Sequence, residues 1–145
     1  MSQYEHTQIG YFLIWALLIG AVISLALGAM NPADWICFVV AIVLLLTIAG
    51  FYKLTIKIDT ERLRATLGLG LIRKQVRVAD IATCQPIRVR WWYGWGIHFT
   101  PYGLLYNVSG WDAVLITLRD GRHFSLGTDD PHGLAGAILR LASAR

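Results

Sequence analysis

The side chains best suited to chemistry here are cations with aromatic rings beside them. Lys57, Arg62 and Arg64 follow the spacing Lys-x4-Arg-x-Arg, and Lys53 lies just before them. Clustered cations can chelate a phosphate through charge-assisted hydrogen bonds. A strand beside a bilayer also carries a solvated basic face simply because anionic lipid attracts it. Asp59 and Glu61, at the turn between these cations, weaken a closed pocket for an anion. Further along, Arg88 and Arg90 lead into Trp91, Trp92, Tyr93 and Trp95. Such a stretch is open to three readings: a structural strand whose rings fill a core, an interfacial loop dipping toward a bilayer, or a recognition surface of stacking rings. On a strand, side chains alternate faces, so Trp91 and Trp92 cannot both point inward. If Trp91 is inside with Tyr93 and Trp95, Trp92 is the exposed ring.

Other chemistry finds little support. His6, His98, His123 and His132 are scattered without ligand spacing, so no metal is expected, and no cofactor. Cys37 and Cys84 form neither a redox nor a metal pattern, which fits a reducing compartment. Ser109 and Ser125 belong to no nucleophile motif, and the glycines follow no phosphate-loop pattern. Asn107-Val108-Ser109 matches a glycosylation sequon, which a cytoplasmic location would leave unused. An enzyme with a small-molecule substrate is therefore not expected, nor a nucleic-acid partner.

The elements that must position these residues begin in hydrocarbon. The chain is 56% hydrophobic with a net charge of +4. Its mean hydropathy of +0.53 is high for a soluble protein. The excess is concentrated in Ile9–Met30 and Trp35–Tyr52, neither holding a charge. At ~1.5 Å per residue the two runs reach roughly 33 and 27 Å as helices, against a hydrocarbon core of ~30 Å. Only "NPAD" separates them, so an antiparallel hairpin is expected. Neither run shows a polar stripe, which argues against a soluble helical pair, and no Lys or Arg precedes the first, which argues against a signal peptide. Gly20, Ser24 and Gly28 line one face of the first helix, suited to packing on the second or on another subunit. All thirteen Lys and Arg residues lie at or after Lys53. The positive-inside tendency then places both termini in the cytoplasm.

From Lys53 the hydrophobic period changes to two. "KLTIKID" and the stretch Arg62–Leu67 alternate as strands, and "IRKQVRV" makes a third, with Lys74 on the apolar side and so near a strand end. "DIATCQPIRVR" is a fourth strand interrupted at Pro86. "HFTPYGLLYNVSGW" reads as a long loop or broken strand, and Leu104-Leu105-Tyr106 as core or as a second apolar membrane contact. Asp120-Gly121 marks a hairpin. A final helix over 130–143 has Asp130 as cap, Pro131 in its first turn and Leu134, Ile138 and Leu141 on one face. The expected fold is a membrane α-helical hairpin in a segment 1–52, followed over 53–145 by a mainly antiparallel β domain of six or seven strands with a C-terminal capping helix.

This run resembles the bacterial pleckstrin-homology-like domains found behind one or two membrane helices. The resemblance covers roughly 53–142 and rests on "KLTIKIDTERLRATLG", "RVADI", "GWGI", "AVLITLRDGRHFSLGTDDP" and the final helix. It implies a bent antiparallel sheet or barrel closed by the helix, tethered to a bacterial inner membrane. The Lys57, Arg62, Arg64 spacing also resembles the basic signature with which eukaryotic pleckstrin-homology domains hold inositol phosphates. The expected work is binding: Lys57, Arg62, Arg64, Arg88, Arg90 and Trp92 would meet anionic lipid, a protein partner or a second copy of the chain. The alternative is an accessory subunit that stabilises a larger membrane enzyme or transporter.

Overall fold

A computed structural model describes residues 3–144. The chain opens with a strand, β1 (Tyr4–Ile9), then two helices, α1 (Tyr11–Met30) and α2 (Trp35–Phe51). Eight strands follow: β2 (Lys53–Ile58), β3 (Arg62–Leu67), β4 (Ile72–Arg77), β5 (Ile81–Arg88), β6 (Gly96–Thr100), β7 (Gly103–Asn107), β8 (Asp112–Leu118) and β9 (His123–Gly127). Helix α3 (Pro131–Ser143) ends the fold.

Helix α1 is long and apolar enough to cross a bilayer, and only 11% of its most apolar window is buried. Phe12, Trp15, Ile19 and Val22 point outward, so its surface lacks the polar side expected of a helix in water. α2, at 17 residues, is a shorter apolar helix. The two pack through small residues. Ala21, Gly28 and Ala41 are buried, Gly20 faces Leu44, and Gly28 faces Cys37 and Phe38. The connection is closed locally, with Asn31 Nδ2 donating to Asp34 Oδ2 at 2.8 Å.

β1 was not expected. It lies within the segment assigned to the membrane hairpin, yet it pairs antiparallel with β2 from Tyr4↔Ile58 to Ile9↔Lys53. The helical hairpin is thus inserted between two adjacent strands of one sheet, and Gly10 N donates to Tyr52 O at 2.9 Å where both helices meet it. The first sheet runs β1-β2-β3-β4. The second runs β5-β8-β9-β7-β6. The sheets stay separate and do not close into a barrel. All pairings are antiparallel except β7 with β9, which run parallel.

One core joins the two sheets. Leu54, Ile56, Ile58 and Leu63 from the first meet Ile116, Phe124 and Leu126 from the second. α3 packs on β5 and β8 and adds Leu134 and Ile138. Its N-terminus is held as expected: Gly133 N donates to Asp130 Oδ1 at 3.0 Å, and Pro131 occupies the first turn. The Asp120-Gly121 turn joins β8 to β9, with Gly121 at φ +89°. Three expectations change. Residues 96–107 form the paired hairpin β6–β7 rather than a long loop or broken strand, and of the two readings of Leu105 and Tyr106 the core one holds. Pro86 does not interrupt β5, because β5 is an edge strand and needs no donor on its open side. Lys74 sits mid-strand opposite Ala65, tolerated on the apolar side because its ammonium lies 5.1 Å over the Phe124 ring.

Candidate functional site

The site is the outer face of the first sheet, and its register shows why these residues meet. Alternation turns the apolar residues of β2, β3 and β4 to the core and the polar ones outward. Across the sheet, Glu5, Lys57, Arg64 and Gln75 form one row. Thr7, Thr55, Thr66 and Arg73 form the next, nearer the helices, and Ile9 and Lys53 the last. Arg62 and Arg77 pair at the far end. Between these rows lies an open groove of 640 Å³, with Tyr52, Gly68 and Leu69 at its helix end.

Charge is uneven along the groove. Lys57 pairs with Glu5 at 2.8 Å, and Arg64 reaches Asp59 at 3.9 Å. Arg77 is held by Asp80 at 2.9 Å, which raises its already high pKa through that hydrogen bond. Lys53, Arg62 and Arg73 form no ion pair among the described residues. Lys53 lies 5.2 Å over the Tyr52 ring, and Arg73 donates from Nε to Gly70 O at 2.7 Å. The uncompensated charge nearest the helices therefore belongs to Lys53 and Arg73. Lys57 and Arg64, expected as binding cations, lie four strand residues beyond Lys53, about 13 Å along the strand. That exceeds the ~8–10 Å screening length at physiological salt.

Sequence alternation put Arg73 on the polar side of its strand. Only the order β2-β3-β4 brings it onto the face that Lys53 and Lys57 share.

Arg88, Arg90 and Trp92 belong elsewhere, at the helix-proximal end of the second sheet. The β5–β8 ladder ends at Arg88↔Asp112. Past it the chain makes a 3-10 turn over Trp91–Tyr93 and reverses at Gly94, φ +64°. With no partner strand, alternation does not apply, and the case in which Trp91 lies inside is not met: Trp91 is 72% exposed and Trp92 54%. The two rings meet edge to face at 5.9 Å, and the Arg90 guanidinium lies 4.8 Å over Trp92. Trp95 packs on helix and sheet, 5.0 Å from Phe12 in α1 and 5.5 Å from Trp111, and Tyr93 packs on the cluster of Val89, Leu105 and Ala113.

Comparison of the chain with protein-family models, with curated proteins and with solved structures finds no match in any of the three. The resemblance to pleckstrin-homology-like domains thus rests on the quoted stretches and their order, with no matching family or fold beside it.

Proposed function

We propose that this chain is a two-span, membrane-anchored binding module of pleckstrin-homology-like type that holds a cationic sheet face against anionic lipid headgroups on the cytoplasmic side. The observation that carries the reading is the position of Lys53 and Arg73: unneutralised, on one outward face, at the end of the sheet where α1 and α2 enter. Near an anionic surface each such cation contributes about 1 kcal/mol. The hairpin geometry supports two crossings. α1 and α2 run antiparallel in contact, and both join adjacent strands at Gly10 and Tyr52. If α1 crosses, α2 must return. The Lys and Arg bias favours a cytoplasmic sheet.

The test uses the full chain, since β1 completes the sheet. The chain is placed in vesicles of phosphatidylcholine with and without phosphatidylglycerol, carrying a donor dye at Gln75→Cys and acceptor-labelled lipid of either kind. Enrichment of phosphatidylglycerol over phosphatidylcholine at low salt, falling with salt and lost in Lys53→Glu/Arg73→Glu, is expected. Equal transfer from both lipids at every salt concentration would overturn the lipid reading.

A protein partner, in the form of an accessory subunit of a larger membrane complex, is favoured by a different observation. Phe99 is 90% exposed on β6, an edge strand of the second sheet open to strand addition.

A further inference from the structure

Two exposed apolar loops lie next to contacts with the end of the helix pair that meets the sheets. The β3–β4 loop carries Leu69, 68% exposed, and Leu71, 81% exposed. Neither contributes to the core, and Gly68 before them and Gly70 between them have positive φ. Gly68 is pressed against the last turn of α2: a β-carbon there would collide with the carbonyl oxygens of Ala49 and Gly50. Leu69 N donates to Ala49 O at 3.2 Å. The loop backbone therefore reaches past the end of α2, by roughly half a helical turn. The second sheet carries the exposed Trp91 and Trp92 just before Trp95, whose ring lies 5.0 Å from that of Phe12, the second residue of α1. Each loop is fixed by its own contact to a helix end, and both contacts lie inside the span of the helices. Arg73 bonds to the first loop at Gly70 O, and Arg90 lies over the Trp92 ring of the second, so each loop carries a cation.

We infer that Leu69 and Leu71 on one side, and Trp91 and Trp92 on the other, enter the headgroup region of the bilayer that holds the helices, forming an apolar collar that fixes the tilt of the β domain. The occupant is lipid because both loops are continuous with the ends of an apolar helix pair, where no other solvent is adjacent. Tryptophan favours that boundary, and leucines on a short polar-flanked loop gain by burial there. The collar explains how the groove of the first sheet is presented. Leu69 lines the groove's helix end, so inserting it brings Lys53 and Arg73 to phosphate depth. The inference rests on the membrane anchoring proposed above.

The test separates the two. The full chain, with Cys37→Ala, receives one environment-sensitive fluorophore at Leu71→Cys, Trp92→Cys, Glu61→Cys or Val22→Cys. Cys84 can stay: it is buried, and burial pushes its thiol up and keeps it unreactive. Each labelled chain is placed in phosphatidylcholine vesicles with nitroxide lipids quenching at headgroup or acyl depth. Val22, outward on α1, reports the anchor; Glu61, at the far turn, reports bulk water. The expected result is a blue shift with headgroup-depth quenching at both Leu71 and Trp92, acyl-depth quenching at Val22 and none at Glu61. Quenching at Val22 with Leu71 and Trp92 behaving like Glu61 would overturn the collar and leave the anchor standing. No quenching at Val22 would overturn both.

Discussion

The two sheets share a core but are built on different rules. The first is assembled from strands in chain order, with one face in the core and one in solvent. The second interleaves its strands, includes a parallel pair, and is partly covered on its outer side by Val89 and Tyr93 packed on Leu105 and Ala113. A sheet wet on one face advertises itself by alternation, whereas a sheet covered on both hides its register. The first therefore presents a chemical surface, and the second mainly supports it.

The sharpest way to break this contrast is to ask whether the sheets are energetically one body. Ile56→Ala and Ile116→Ala remove fully buried side chains from opposite sheets, and each is expected to cost about 2–5 kcal/mol in denaturant unfolding of the detergent-solubilised chain. A silent Ile116→Ala would mean that the second sheet does not share the core. Next come the turns. Gly68→Ala combines positive φ with a collision against α2, whereas Gly121→Ala has positive φ and open space around it. Both incur backbone strain of about 1–2 kcal/mol, and Gly68→Ala is expected to cost more in thermal unfolding. Equal losses would detach the β3–β4 loop from the helix.

Asp130→Ala removes the cap of the helix that closes the fold and is expected to cost about 1 kcal/mol by the same unfolding assay. The smallest effect is a pH signature of β1. Burial and the nearby Asp130 push the Tyr4 phenol from 10.0 up to about 12. The folded chain thus holds this proton more tightly than the unfolded one. Its contribution is complete below pH 10 and is lost as pH rises toward 12. Tyr4→Phe is expected to flatten that alkaline decline in an unfolding series, and an unchanged profile would place the alkaline sensitivity elsewhere.

What was legible in the chain follows the same contrast. Strands β2, β3 and β4, the Asp120-Gly121 hairpin and the Asp130-Pro131 helix start were readable because their signals are local. β1 was not, because its core-facing side chains are Tyr4, His6 and Gln8, and its partner lies beyond two helices. The partners of those polar residues are distant: His6 meets Asp129, and the Gln8 amide nitrogen donates to Ser109 O at 3.0 Å, while the buried Gln8 Oε1 has no partner among the described residues. The Trp-rich stretch misled because its composition resembles a strand while its backbone leaves the ladder at Arg88. Of the expected cations, Lys57, Arg62 and Arg64 lie on the polar face that alternation gives them. Glu5, from the unforeseen strand, neutralises Lys57 and leaves Lys53 and Arg73 as the unpaired cations nearest the helices.

The pairing of β1 with β2 across the helical hairpin has a consequence for how the protein is made. During synthesis β1 emerges first and has no partner until both helices have left the ribosome. If the helices enter the bilayer as they emerge, the sheet can close only when the second has brought the chain back. A molecule caught with one helix across keeps an open edge on β2 and a stranded segment on the opposite side. Sheet closure would then depend on both helices having entered the bilayer.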